Sequence, residues 1–181
     1  RTLRDRLGLA SLIIGLLGGL YAWGVEPYWI EVTRHSVQAS LVPSLRIAHI
    51  TDLHTYGLGR RERSLLAILE REKPDVIVIT GDSVIDGDLF GPKPRPPEDP
   101  SYTRLAEVFR RLHAPLGVWA VKGNWEAIRR VPDERSFYER NGVELLSNQT
   151  RELRPGVWLA GFDDIRSGPD AGALRQIPSG A

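Results

Sequence analysis

Leu45-Arg46-Ile47-Ala48-His49-Ile50-Thr51-Asp52-Leu53-His54 is an apolar run that closes on a carboxylate and an imidazole one residue apart. Leu45, Ile47, Ala48 and Ile50 put apolar side chains on both faces of the segment, the mark of a strand covered on two sides. In α/β sheets chemistry collects beyond the ends of such strands. As the chain leaves the strand, Asp52 and His54 are expected on one side of it, because positions i and i+2 share a face. A hard oxygen and a borderline nitrogen aimed together suit Mn, Fe or Zn better than Ca or Mg. Alone, the Asp-x-His pair is a weak signal that ordinary capped loops share. Its weight comes from the residues downstream.

From Arg60 to Arg71, Leu65, Ile68 and Leu69 form one helical stripe with charges elsewhere. Pro74-Asp75 breaks the chain before Val76-Ile77-Val78-Ile79-Thr80, a β-branched run that reads as a second buried strand. Strand, helix and strand in this space make a parallel βαβ unit, so Gly81-Asp82 brings another carboxylate to the edge that carries Asp52 and His54. Gly81 permits the sharp turn that aims it inward. Tyr102, Leu105, Phe109 and Leu112 mark the next helix, and Gly117 to Val121 the third strand, which runs into Gly123-Asn124-Trp125-Glu126. Three strands thus end in ligand-type residues. Beyond them a helix is expected around Pro132 to Arg140, short strands at Val143 to Leu146 and Val157 to Ala160, and a carboxylate pair at Asp163-Asp164. The Gly- and Pro-rich stretch from Asp86 to Pro100 reads as a stiff surface loop, either a substrate lid or a plain insertion. His49 is expected in the core, and His35 and His113 in solvent.

Upstream, Arg1, Arg4 and Arg6 precede an uncharged stretch from Leu7 to Val25, which as a helix spans roughly 28 Å, close to the ~30 Å of a hydrocarbon core. Tyr21, Trp23, Tyr28 and Trp29 gather at its far end like an interfacial belt. Residues 1–30 therefore read as a single-pass membrane anchor with the domain on the extracytoplasmic side. A cleaved signal peptide, with small residues in Ala22-Trp23-Gly24, is the competing reading. Residues 31–44 read as a linker, with an edge strand expected around Trp29 to Val32, and residues 45–181 as one domain.

Composition narrows the chemistry. The 181 residues carry 24 basic and 23 acidic side chains, a net charge of +1 that gives no sign of a nucleic-acid partner. The absence of cysteine excludes thiolate metal sites, cysteine nucleophiles and disulfides. The absence of methionine marks residue 1 as something other than an encoded start, and the chain is expected to be a piece of a longer protein.

Asp-x-His, then Gly-Asp, then Gly-Asn-x-Glu, each after a strand and in that order, resembles the calcineurin-like metallophosphoesterases over residues 45 to about 165. Within them the closest resemblance is to the membrane-anchored branch related to YkuE-type phosphodiesterases and UDP-2,3-diacylglucosamine pyrophosphatases. It is carried by the apolar N-terminal helix, Glu26-Pro27, Val32-Thr33-Arg34-His35 and Gly161-Phe162-Asp163-Asp164. The resemblance implies the family's four-layer α/β sandwich, with its first half present here, and two divalent metal ions. Asp52 and His54 would hold the first, Asp82 would bridge both and Asn124 would bind the second, so that water rather than a side chain attacks phosphorus. Two departures stand out. Trp125 occupies the place of the family's usual histidine, where indole cannot act as an acid; it either packs only or covers part of the substrate. No histidine follows His113, so the family's later histidine ligands are expected in a missing C-terminal portion, and the isolated piece is expected to be a weak catalyst or none. The implied activity is metal-dependent hydrolysis of a phosphodiester or pyrophosphate bond in a lipid-linked or nucleotide-sugar substrate. The alternative is a membrane-tethered binding module on a decayed phosphoesterase fold.

Overall fold

The structure, a computed structural model, describes residues 3–38, 44–84, 100–128, 133–166 and 168–178. In chain order its elements are α1 (Leu3–Gly24), β1 (Ile47–Ile50), α2 (Arg60–Glu72), β2 (Val76–Thr80), α3 (Pro100–Phe109), β3 (Val118–Val121), α4 (Asn124–Ile128), α5 (Glu134–Arg140), β4 (Glu144–Leu145), β5 (Gln149–Arg154) and β6 (Val157–Gly161). Strands β1 to β4 form one parallel sheet in the order β1-β2-β3-β4, and β5 and β6 form a separate antiparallel hairpin. This is the α/β arrangement with crossover helices that the alternating strand and helix patterns demand.

The register sorts the side chains by face. Ile47 pairs with Val76 and Ile50 with Ile79, while Ile77 pairs with Val118 and Ile79 with Ala120. Ile50, Ile77, Ile79, Val118, Ala120 and Leu145 therefore share one face, where Tyr102, Leu105, Val108 and Phe109 of α3, Leu112 beyond it, and Tyr138 of α5 close over them. The helical stripe at Tyr102, Leu105, Phe109 and Leu112 is thus the core stripe. Leu65 and Leu69 of α2 pack at its margin.

The opposite face corrects the expectation for β1. Ile47 is 55% exposed, His49 is exposed and Ala48 is only half-buried, so the strand is covered on one side, not two. It lies at the sheet edge, and an apolar groove lined by Val78, Trp119, Val121, Leu159 and Phe162 begins only at the neighbouring strands. His49 is correspondingly a surface residue rather than a core one, its Nε2 lying 2.7 Å from Thr80 Oγ1. The expected edge strand at Trp29 to Val32 is also absent. Residues 29–38 run irregularly beside α2, tied there by Arg34, whose guanidinium meets the Glu72 carboxylate at 2.6 Å. The loop read as lid or insertion lies, apart from Pro100, outside the described residues.

Helix α1 is long and apolar enough to cross a membrane, and none of its residues is buried. A short 3-10 turn at Glu26–Tyr28 ends it.

Candidate metal centre

The three strand ends do converge, by a different local mechanism from the one the pleat would supply. Strand β1 stops at Ile50, and Asp52 and His54 then take backbone φ of +51° and +37°, both in the left-handed region. Asp82, after β2, does the same at +50°. Few residues with a Cβ adopt this conformation, and aspartate and histidine are among those that do so most often. Three such residues at one sheet edge store strain that the surrounding contacts must hold.

Those contacts are explicit. His54 N–H donates to Asp82 O at 2.9 Å and Thr55 N–H to Ser83 O at 3.1 Å, so the loops after β1 and β2 stay paired past the strand ends. Gly81, at φ +87°, packs its backbone directly on that of Gly123, and a Cβ at either position would overlap the other loop. Glu126, which is fully buried, completes the assembly. Its Oε1 accepts from Ser83 N–H at 2.7 Å and Val84 N–H at 3.4 Å, and its Oε2 accepts from Asp82 N–H at 2.9 Å and Gly123 N–H at 3.0 Å. One carboxylate thus ties the β2 loop to the β3 loop. On the other side of the centre Glu62 does a related task, accepting from Gly59 N–H at 3.0 Å and from Thr55 Oγ1 at 3.1 Å. Burial pushes its carboxyl up, but hydrogen bonds from the backbone, Arg61 and Thr55 outweigh this and hold it below the ordinary carboxylate value.

Each candidate ligand is held by one atom and presents the other. Asp52 Oδ2 accepts from Thr51 Oγ1 at 2.5 Å, leaving Oδ1 free to face His54 Nε2 at 4.0 Å. Asp82 Oδ1 accepts from Trp125 N–H at 3.0 Å, leaving Oδ2 to face the same Nε2 at 4.0 Å. The partner of His54 Nδ1, at 3.1 Å, is the carbonyl of Val84; a carbonyl only accepts, so Nδ1 carries the hydrogen and Nε2 presents a lone pair when the ring is neutral. One donor atom from each of the three residues lies within 4.8 Å of the others. Three acceptors converge here, which is unfavourable without a cation. The tautomer fixed by a backbone carbonyl is the arrangement that metal-bound histidines adopt. The donor set, two carboxylates and an imidazole, therefore fits a divalent ion of the Mn, Fe or Zn type.

The remaining predicted site residues sit alongside. Asn124 opens α4 between the Gly123 and Trp125 backbone groups already described. The Trp125 indole packs on the core margin and meets the His54 ring edge-on, with centroids 5.6 Å apart and planes at 84°. Glu126 points into the protein as a loop tie. Positive φ at Asp52, His54 and Asp82 and the roles of Glu62 and Glu126 were not legible in residue spacing. The Glu three residues after a glycine in Gly59-x-x-Glu62 and in Gly123-x-x-Glu126 is the one sequence signal that both share.

The calcineurin-like phosphoesterase model matches residues 45–171, a span that contains all three strand tips. The chain belongs to this family. It is 28% identical over 158 residues to an uncharacterized metallophosphoesterase of Aquifex aeolicus (strain VF5), covering 84% of this chain and 56% of that protein. It is 28% identical over 170 residues to the uncharacterized metallophosphoesterase YkuE of Bacillus subtilis (strain 168), covering 87% of this chain and 56% of that protein. The chain thus spans little more than half the length of these relatives. No solved structure gives a significant match. As a calcineurin-like phosphoesterase the chain comes from a family of metal-dependent hydrolases of phosphoric esters, and the convergent Asp52, His54 and Asp82 are its metal-binding candidates.

Proposed function

We propose that this protein is a membrane-anchored, dinuclear metal hydrolase of a phosphodiester or pyrophosphate bond in a lipid-linked or nucleotide-sugar substrate. The observation that carries the reading is the centre built from Asp52, His54 and Asp82, whose three free acceptors face one another at 4.0 Å across His54 Nε2. Asp52 and His54 would hold one ion, and Asp82 and Asn124 would serve a second. A pair of divalent ions lowers the pKa of water and neutralises charge building up at phosphorus. The chain's own residues set the geometry: Glu126 fixes the Asp82 backbone, Val84 fixes the His54 tautomer and Thr51 fixes the Asp52 carboxylate.

Trp125 supports the anhydride side of this reading. It stands against His54 where an acid would be needed to protonate a poor leaving group, and indole has no acidic proton to give at neutral pH. A phosphate monoester, with a second pKa near ~6, departs as an anion without that help. The indole face is suited to covering a base or an acyl chain. Helix α1 supports a site held close to substrates that do not diffuse in water.

The test uses the full-length protein in detergent or vesicles, with metal content measured beside activity. Close to two equivalents of Mn, Fe or Zn per chain and preferential cleavage of UDP-diacylglucosamine over bis-p-nitrophenyl phosphate are expected. Cleavage of bis-p-nitrophenyl phosphate alone would count against the substrate class. A metal-free protein that binds but never cleaves would turn the reading into that of a tethered binding module.

A further inference from the structure

Two contacts at opposite ends of α2 fix the path of the chain between anchor and domain. Tyr28, in the turn that ends the anchor, lies under the guanidinium of Arg60, 5.0 Å from ring centroid to Cζ. Arg60 is the first residue of α2, at the edge of the sheet where the parallel strands end. Six residues on, Arg34 grips Glu72 at 2.6 and 3.3 Å, and Glu72 is the last residue of α2. That end of the helix lies at the opposite edge, where the Glu72 carbonyl is bonded by Arg46 and where Asp75 N–H donates to Arg46 O at 2.8 Å beside the start of β1. The spans agree: six extended residues cover about 20 Å, and twelve helical steps about 18 Å. The linker therefore descends along α2, and β1 climbs back toward the end from which the linker came. Because α1 has no buried residue, it leaves the domain at that same end instead of folding back on it.

Asp52, His54 and Asp82 are at this end too. Arg61, next to Arg60, donates to the carbonyls of Leu53 at 2.5 Å and His54 at 3.2 Å. The first turn of α2 thus touches the anchor on one side and the ligand loop on the other. Between them the loop exposes Tyr56, 64% accessible, with Arg60 and Arg63 also in solvent, an aromatic and two cations that suit a lipid headgroup layer.

Resting on the anchor reading of α1 above, the geometry points to a domain docked on the bilayer by the strand-end edge of its sheet. The Asp52–His54–Asp82 centre then lies at headgroup depth and meets phosphoryl groups of membrane lipids, while the strand-start edge faces the aqueous side. The site opens that way, since the Asp52 side chain is 61% exposed.

The chain has no cysteine, so single introduced cysteines report single positions. Spin labels at Leu12→Cys in α1, at Tyr56→Cys and at His113→Cys, an exposed residue before β3 at the strand-start edge, are compared. The full chain is reconstituted in phosphatidylcholine vesicles carrying a nickel-chelating lipid. Leu12 is expected to relax with dissolved oxygen, Tyr56 to relax several-fold faster with the nickel lipid, and His113 to be unaffected by it. A further variant pair, Tyr28→Ala with Arg34→Ala, is expected to reduce the nickel effect at Tyr56. An immersed Leu12 label with Tyr56 and His113 equally affected, or His113 more so, overturns the docking geometry. A Leu12 label outside hydrocarbon overturns the anchor reading beneath it, whatever the other labels show.

Discussion

Two groups of carboxylates sit at the strand-end region of this sheet, and they are solved differently. In one, Asp52, Asp82 and the His54 imidazole aim three acceptors at each other with no cationic side chain paired to them among the described residues. In the other, Glu134 and Asp163 flank the Lys122 ammonium at 3.7 and 3.6 Å, and Ser147 Oγ donates to Asp163 at 2.5 Å. The second group carries its own cation and joins β3 to the β5–β6 hairpin. The first has no such counter-charge among the described residues, which makes it the candidate for a cation from outside. Acidity alone does not mark a metal site; acidity without a built-in counter-charge, on strained backbone, does.

Several changes would break or sharpen that contrast. The largest effect is expected from Glu126→Ala, which strands four backbone N–H donors at the junction of the two loops that carry Asp82 and Asn124. A loss of about 3 kcal/mol, with weakened metal binding, should appear in denaturant unfolding and metal titration of the same sample. Next, Lys122→Met leaves Glu134 and Asp163 facing each other without their ammonium. A cost of about 2 kcal/mol is expected, with metal affinity kept.

Acidity tests the same group without a cost in packing. Burial raises the Glu134 carboxyl from its ordinary 4.5 to about 7, with Lys122 pulling it down and Glu126 and Asp163 pushing it up. A raised carboxyl contributes its stability in the neutral form, so that contribution is full below 4.5 and is lost as pH rises through about 7. Unfolding temperature in chelator should fall across that window, and Glu134→Gln should flatten the fall. The smallest effect is expected from Asp52→Asn in chelator. It removes one of three mutually repelling acceptors at an exposed position and should leave stability within about 0.5 kcal/mol of the parent.

The sequence carried the sheet well because buried β-branched runs and helical stripes leave strong patterns. Val76 to Thr80 and the Tyr102, Leu105, Phe109 stripe fell where expected. Ile47 and His49 did not, since an apolar run does not say which of its faces finds a partner. Asp52, His54 and Asp82, read as candidate ligands from their order, do converge, but the pleat was the wrong reason for it. Left-handed turns at three residues bring it about, and φ is set by loop pairing that spacing does not encode. Glu126, among the ligand-type residues that end the third strand, instead acts through four backbone bonds, a role visible only once both loops are in place.

By this contrast Asp52, His54 and Asp82 are the candidate cation site and the Lys122 group is not. Calorimetric titration of Mn(II) into metal-free protein tests it most directly, using His54→Ala, Asp82→Asn and Glu134→Gln beside the parent chain. Affinity should fall at least ~100-fold in the first two and stay unchanged in Glu134→Gln. Parent-like binding by His54→Ala, or binding lost in Glu134→Gln, would contradict the account.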